Sequence, residues 1–444
     1  MAERRDDRAT APARRVRFKT LGCKVNRVES DEAAARLLGE GWTVVETGPT
    51  DVVVVNTCTV TAEADSKARK EIRRALASAG EPVVVVGGCL AALAAEELRA
   101  MSPRVLVETD RDALARSVSA AVTAKEPAGP ARETPAQAVP ATPRTRTLVK
   151  VQDGCDQRCS YCIVPDARGG PRSIRFETIM SRVRELASAD RPGELVLTGV
   201  NVGVWREGDA DLPALVDAVC AEFPGRVRVS SVEPTHLTER FAEVAARRTA
   251  DGTLCPHLHV PLQSGCDRVL AAMRRPYDKA DFGRASATMR AAVPSLAITT
   301  DVIAGFPGET AADAEETQRF VQELGFQRLH VFRYSERPGT PAAEMPRRVS
   351  VPERSARAAQ LRRLSARLLA GYTDSRLGAP ARVLIEEGGM GTTEDYLRAR
   401  VADGPWPAGS LVDAVLDEIL ADGTLSARPT GFATRQAPTE GDAT

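Results

Sequence analysis

Residues 154–162 read GCDQRCSYC, which places Cys155, Cys159 and Cys162 in a CxxxCxxC spacing on one short segment. Three thiolates from one loop leave a fourth ligand position open. Structural zinc sites close with four protein ligands, whereas an iron–sulfur cubane held by three cysteines keeps one iron free for a substrate or cofactor. A zinc ribbon would need a second CxxC nearby, and a redox motif would need only two cysteines. The spacing therefore favours a [4Fe–4S] cluster whose open iron can be chelated by S-adenosylmethionine.

Outward from this loop, strand candidates recur with helices between them: TLVKVQ before it, then ELVLTGVN, RVRVSSVEP, HLHVPLQS, AITTDVIAGFPGE and FQRLHVFRYS. Six such units predict a partial (β/α)6 barrel, with its chemistry at the carboxyl ends of the strands. A basic helix follows from Val351 to Tyr372. Beyond it, ARVLIEE, EDYLRARVA, GSLVDAVLDEI and TLSARP, separated by Gly and Pro turns, suit a small β-barrel.

Toward the amino terminus the pattern is again α/β. From Val16 to about Ala121, VRFKTLG, WTVVE, DVVVVNT and PVVVVGG alternate with amphipathic helices, the last of them starting at Ala91. Unbroken valine runs between helices indicate an open parallel sheet covered on both faces. The proline-rich stretch that follows, AKEPAGPARETPAQAVPATPRTRT, has no periodicity and reads as a linker. The expected division is a tail over 1–14, an amino-terminal domain over 15–122, a linker over 123–146, a barrel with its basic helix over 147–372, a small β-barrel over 373–434 and a tail over 435–444.

At 444 residues the chain is long enough for two or three cores. No run of about 18 apolar residues marks a membrane span, and the charged start lacks the apolar segment of a secretory signal, so a cytoplasmic address is expected. Nine cysteines in such a chain point to metal or redox chemistry rather than disulfides. With 60 basic and 60 acidic residues, contact with nucleic acid would have to be regional.

A second triad is scattered: Cys23 in TLGCKVN, Cys58 in VVVVNTCTVT and Cys89 in VVVVGGCLA, each just past a predicted strand. Carboxyl ends of parallel strands share one edge, where open α/β sheets bind ligands. Convergence there would hold a second cluster. Cys220, Cys255 and Cys266 share no such equivalence and read as core residues.

Tyr161 lies between two cluster cysteines, where its ring can pack beside an adenine. Gly305 and Glu309 belong to a glycine-rich turn, IAGFPGE, that allows close backbone approach to a cofactor. Asn201, Glu233 and Gln263 each follow a strand end and can hydrogen-bond a ribose or an amino-acid moiety. The four histidines form no ligand spacing.

Taken together, LGCKVN with NTCTVT and GGC, the GCDQRCSYCIVPDARG loop, and PLQSGCDRVLAAMRR, TDVIAGFPGE and HVFRYSERPGTPAA resemble the radical S-adenosylmethionine methylthiotransferases. The resemblance runs from about Val16 to Ala427 without the linker. It implies an auxiliary cluster on Cys23, Cys58 and Cys89, a radical barrel with the cofactor-binding cluster on Cys155, Cys159 and Cys162, and a carboxy-terminal β-barrel of the TRAM kind. By resemblance, the barrel cluster reduces S-adenosylmethionine to release a 5′-deoxyadenosyl radical, and the auxiliary cluster carries the sulfur that is methylated and transferred. The amino-terminal motifs look most like the branch that methylthiolates C2 of N6-threonylcarbamoyladenosine 37 in the tRNA anticodon loop. The isopentenyl-adenosine branch tends to have glutamine where Lys24 stands.

This reading implies a tRNA partner, an external one-electron donor and a sulfur source. Arg354, Arg357, Arg362, Arg363 and Arg367 on the basic helix are candidate phosphate contacts. Arg333 or Arg337 can meet the threonylcarbamoyl carboxylate as a bidentate partner. Beyond Tyr372 acidic residues outnumber basic ones roughly two to one, which is unexpected for a barrel holding RNA. That balance keeps open a ribosomal-protein substrate; a third reading is an RNA-binding iron–sulfur protein without catalysis.

Overall fold

Valine runs, β-branched and apolar throughout, can only settle between two covered faces. In the computed structural model, which describes residues 14–123, 145–188, 193–402 and 404–432, they form a five-stranded parallel sheet. Its strands are β1 (Arg15–Thr20), β2 (Thr43–Val44), β3 (Val52–Thr57), β4 (Val83–Gly88) and β5 (Val105–Val107). Their order is β2-β1-β3-β4-β5. Val52, Val54 and Val85 pack under helices Lys24–Gly39 and Leu114–Thr123. Val53, Val55, Val84 and Val86 face helices Ala62–Leu76, Cys89–Leu93 and Ala95–Arg99. The three residues of β5 were too few to stand out in the sequence. The helix expected from Ala91 starts at Cys89 and breaks at Ala94, whose extended φ of −133° interrupts it.

This sheet and its helices make one compact unit, which also takes in Asp166–Arg168; the other described residues from 145 onward make the second. Most of the expected tails and linker lies outside the described residues, although Arg146 already opens a strand.

In the second unit all six expected barrel strands are present: β6 (Arg146–Lys150), β7 (Glu194–Thr198), β8 (Arg226–Val229), β9 (His257–His259), β10 (Ala297–Ala304) and β11 (Arg328–Arg333). β6-β7-β8 and β9-β10-β11 are parallel triplets, and single bridges Val227↔Leu254 and Ser231↔His259 join them. The basic helix runs Val351–Ser375, started by a capping box between Ser350 and Glu353 with proline in its first turn. It lays Ala358, Leu361 and Leu364 on the barrel core, and Ser365 accepts from the Leu329 N–H at 3.0 Å.

The last strands close a barrel: β12 (Pro380–Ile385), β13 (Met390–Thr392), β14 (Arg398–Val401), β15 (Leu411–Ile419) and β16 (Leu425–Phe432), in the order β12-β13-β14-β16-β15. Alternate residues fill its interior, among them Val383, Ile385, Ala399, Val401, Val412 and Ala414. β13, with two glycine neighbours in GGMGTT, offered no strand pattern.

The small barrel docks on the amino ends of the radical-barrel strands. Glu194, first residue of β7, receives Arg226 Nε at 2.7 Å and Arg228 Nε at 2.8 Å, and all three side chains are at most 1% exposed. The same arginines donate to the carbonyls of Arg382 (2.6 Å), Thr392 (2.8 Å) and Glu394 (2.9 Å). Tyr396, at a φ of +74°, lies 4.2 Å under the Arg228 guanidinium, and Arg146 donates to its hydroxyl at 3.0 Å. Glu386 pairs with Arg146, and Asp395 with Arg376. Part of the acidity beyond Tyr372 is thus neutralised at this junction.

Candidate cluster and cofactor sites

Each cysteine of the scattered triad follows a strand and precedes a helix. Cys23 is the N-cap of Lys24–Gly39, Cys58 follows β3, and Cys89 opens Cys89–Leu93 directly after β4. A Cβ at Gly22, where φ is +96°, would sit 2.5 Å from the Cys58 Cβ, so glycine is required for the Cys23 backbone to come this close. Gly88, at +89°, plays the same part before Cys89: a Cβ would lie 2.4 Å from Asn56 Oδ1 and from the Thr57 carbonyl. Burial raises the Cys58 thiol, and the charges of Cys89 and Cys23 push it further. Asn26 braces the site by donating to the carbonyls of Leu21 and Thr57, both at 2.8 Å.

The contiguous triad hangs from the end of β6. Gln152 Nε2 donates to the Gly154 carbonyl at 2.7 Å, and the Cys155 N–H closes the loop on Gly169 O at 3.0 Å. Ser160 anchors its middle, with its N–H on Met273 O and its hydroxyl on Ala272 O. Burial pushes the Cys162 thiol up to about 12, with Cys159 and Cys155 adding to the effect, while the Val164 N–H donates to it at 3.4 Å. Three soft sulfur donors, converging and partly served by backbone N–H groups, fit an iron–sulfur cluster.

Among the described residues, three donors suited to a single ion lie within 4.8 Å of one another at Cys266, Asp313 and Glu316. Arg268 already neutralises Asp313, Lys279 neutralises Glu316, and the Cys266 thiol donates to Asp313, so the group is closed as an ion-pair network.

Around the mouth of the barrel, Asn201 is 4% exposed and, among the described residues, neither polar atom of its carboxamide has a hydrogen-bond partner. Its N–H is fixed by Gln152 Oε1 at 2.8 Å. Gln263 holds a φ of +67°, clamped between Asp301 O and the Ile303 N–H. A buried amide with unsatisfied atoms at a strand end fits a polar ligand such as S-adenosylmethionine.

Other expected contacts are committed elsewhere. Glu309 Oε2 accepts from the N–H groups of Gly305 (2.6 Å) and Phe306 (2.9 Å), and Oε1 pairs with Arg357 at 3.3 Å, so this carboxylate braces the glycine turn. Glu233 is engaged by Arg275. Tyr161 packs edge-on to Phe306 with centroids 6.5 Å apart, in a cluster with Met273 and Tyr334. Arg354 donates to Val349 O and Tyr334 O while its Cγ fills the space over Gly305. Arg354 and Arg357 are therefore turned inward, whereas Arg362, Arg363 and Arg367 are exposed. Arg333 donates to Ser355 on the same helix, and Arg337 is 6% exposed.

Two arginines that the sequence reading passed over touch the triads. Arg168 Nε donates to Cys89 Sγ at 3.2 Å and Arg275 Nη1 to Cys159 Sγ at 3.0 Å. Both stand in quoted motifs, PDARG and AAMRR, but nothing in either marks the residue as buried.

Residues 15–108 match the uncharacterized protein family UPF0004, and residues 149–321 the radical SAM superfamily. The chain is 37% identical over 397 residues to the threonylcarbamoyladenosine tRNA methylthiotransferase MtaB of Bacillus subtilis, covering 86% of this chain and 87% of that protein. The enzyme of the same name from Thermotoga maritima is 33% identical over 84% of this chain and 86% of its own length. A tRNA-2-methylthio-N(6)-dimethylallyladenosine synthase from Erythrobacter litoralis is 33% identical, covering 90% and 94%. Among solved structures, the radical S-adenosylmethionine methyltransferase TsrM from Kitasatospora setae superposes with a TM-score of 0.54 at 15% identity, over 74% of this chain and 77% of that one, a likeness of fold.

Proposed function

Because this chain belongs to the radical S-adenosylmethionine methylthiotransferase family, we propose that it methylthiolates C2 of N6-threonylcarbamoyladenosine 37 in the anticodon loop of tRNA. One observation carries the reading: six cysteines stand in two triads at the carboxyl edges of parallel strands, in a chain alike over 86% of its length to an enzyme of that name.

Cys155, Cys159 and Cys162 would hold one [4Fe–4S] cluster and Cys23, Cys58 and Cys89 the other. When bound, the clusters and S-adenosylmethionine supply the one-electron chemistry and the sulfur that an unactivated adenine C–H demands. The chain's own residues position and shield. The Asn201 carboxamide meets the amino-acid or ribose part of the cofactor. Glu309 braces the Gly305 turn at the rim of that site, at a φ of +78° where a Cβ would strike Arg354. Gln263 presents its side chain from a backbone clamped on β10. Tyr161 and Phe306 close the apolar side against water.

The target base has to leave its stack to reach such a site, as in other enzymes that act on a base. Arg362, Arg363 and Arg367 are the candidate guides for the phosphates. The division into an auxiliary-cluster domain, a radical barrel and a terminal β-barrel, the cytoplasmic address, the electron donor and the sulfur source belong to the same proposal. Among the described residues no helix is long and apolar enough to cross a membrane.

Mass spectrometry of tRNA nucleosides from cells with and without the gene tests the proposal. Loss of 2-methylthio-N6-threonylcarbamoyladenosine with accumulation of its precursor is the expected result. Loss of the methylthio form of the isopentenyl nucleoside would move the enzyme to the neighbouring branch. No change in either would exclude tRNA and make a ribosomal protein the next substrate to examine.

A further inference from the structure

A buried arginine is costly unless its charge and donors are met, so where one is found its partners say what it is for. Arg168 has a side chain only 2% exposed. Nη1 binds Glu29 Oε1 at 2.9 Å, Nη2 binds Asn26 Oδ1 at 2.5 Å, and Nε is left facing Cys89 Sγ at 3.2 Å. Arg275, also 2% exposed, repeats the arrangement. Its Nη2 is taken by Glu233, Nε donates to Tyr277 Oη at 3.0 Å, and Nη1 points at Cys159 Sγ at 3.0 Å. Each guanidinium is thus fixed from behind by a carboxylate and a neutral oxygen, with one N–H directed at one sulfur of a triad.

We infer that Arg168 and Arg275 are positioning residues that set the reduction potentials of the two clusters, each by a charge-assisted N–H···S bond to a single ligand cysteine. The inference rests on the assignment of the two triads as cluster ligands. Reduction adds an electron to a cluster, and the added negative charge is spread largely over sulfur. A fixed donor and a nearby positive charge stabilise that form, in surroundings too dry to screen them. Glu29 and Glu233 keep each guanidinium in place without accepting the N–H meant for sulfur.

Redox titration of the iron- and sulfide-reconstituted full chain, followed by electron paramagnetic resonance, tests this. Cys89→Ala and Cys159→Ala identify which signal belongs to which cluster. Arg168→Met should shift the midpoint of the Cys89 cluster to a more negative potential and leave the other unmoved; Arg275→Met should do the reverse. The lysine variants, which keep charge but lose the planar fork, should recover part of each shift. Unchanged midpoints at full iron content would overturn the inference. Should the methionine variants fail to fold or to load iron, wild-type protein labelled with 15N-arginine decides: a hyperfine coupling from 15N on each reduced cluster is expected, and its absence from both overturns the proposal. If Cys89→Ala and Cys159→Ala each retain both signals, it is the ligand assignment that falls, and the inference with it.

Discussion

Asn201 is buried with a carboxamide that no group among the described residues satisfies, and an unmet buried polar group costs about 1–3 kcal/mol. Asn201→Ala should therefore leave the cofactor-free protein as stable as wild type or slightly more so, while weakening S-adenosylmethionine binding by roughly threefold to tenfold, the worth of one or two neutral hydrogen bonds. Thermal melts beside calorimetric titration separate the two effects. Equal destabilisation with unaltered binding would make the residue purely structural. Under the proposed assignment the cysteines divide the chemistry. Cys159→Ala should halve the bound iron and abolish 5′-deoxyadenosine formation; Cys89→Ala should also halve the iron but leave that cleavage measurable while methylthio transfer is lost. The cysteines were legible because spacing and strand ends reveal them. Arg168 and Arg275 were not, because their burial depends on Glu29 and Glu233, 139 and 42 residues away in sequence.

Glycine turns and one helix decide what the elements can present. At Gly154, where φ is +73°, a Cβ would come within 2.0 Å of Gly170 O, so Gly154→Ala should open the contiguous cysteine loop. Iron analysis should then show loss of that cluster with the scattered triad still loaded; full loading of both would show that the loop tolerates the strain. On the helix Val351–Ser375, the basic face expected from sequence splits by depth. Arg354 and Arg357 serve the glycine turn, which leaves Arg362, Arg363 and Arg367 as the proposed phosphate contacts. Replacing these three with glutamine should weaken tRNA binding and reduce its salt slope by about 2, at roughly 0.7 per single-strand contact. Cofactor cleavage without tRNA should be unaffected. Helical periodicity shows which residues share a face, but the packing of that face on Gly305 and Tyr334 is a tertiary fact.

At the scale of the second unit, the terminal barrel is locked to the amino ends of the radical-barrel strands, whereas Asn201, Glu233 and Gln263 follow their carboxyl ends. The acidic composition that seemed to argue against an RNA enzyme is partly spent here, where Glu386 pairs with Arg146 of the radical barrel. Burial alone would raise the Glu194 carboxyl, yet Arg226 and Arg228 hold it well below the ordinary carboxylate range. A carboxylate whose folded value is depressed contributes stability above its unfolded value, near 4.3, and that contribution fades as pH falls toward the folded value. Glu194→Gln should consequently cost about 3–5 kcal/mol at neutral pH, as expected for one partner removed from a buried ion pair. It should also flatten the acid limb of the stability curve below about pH 4. Urea denaturation across that range checks both; an unchanged acid limb would mean the junction does not depend on this charge.

Sequence alone determined the α/β class, the six barrel strands, the first four strands of the leading sheet and the place of Cys23, Cys58 and Cys89 just past strand ends, because valine runs, periodicity and cysteine spacing are local signals that survive without contacts. It did not reveal β5 or β13, too short to carry a pattern, nor the buried roles of Arg168, Arg226, Arg228 and Arg275. An arginine reads as a surface residue until the fold brings carboxylates, carbonyls and sulfur around it. Only the tertiary structure could supply those partners, since desolvation and pairing arise between residues far apart along the chain.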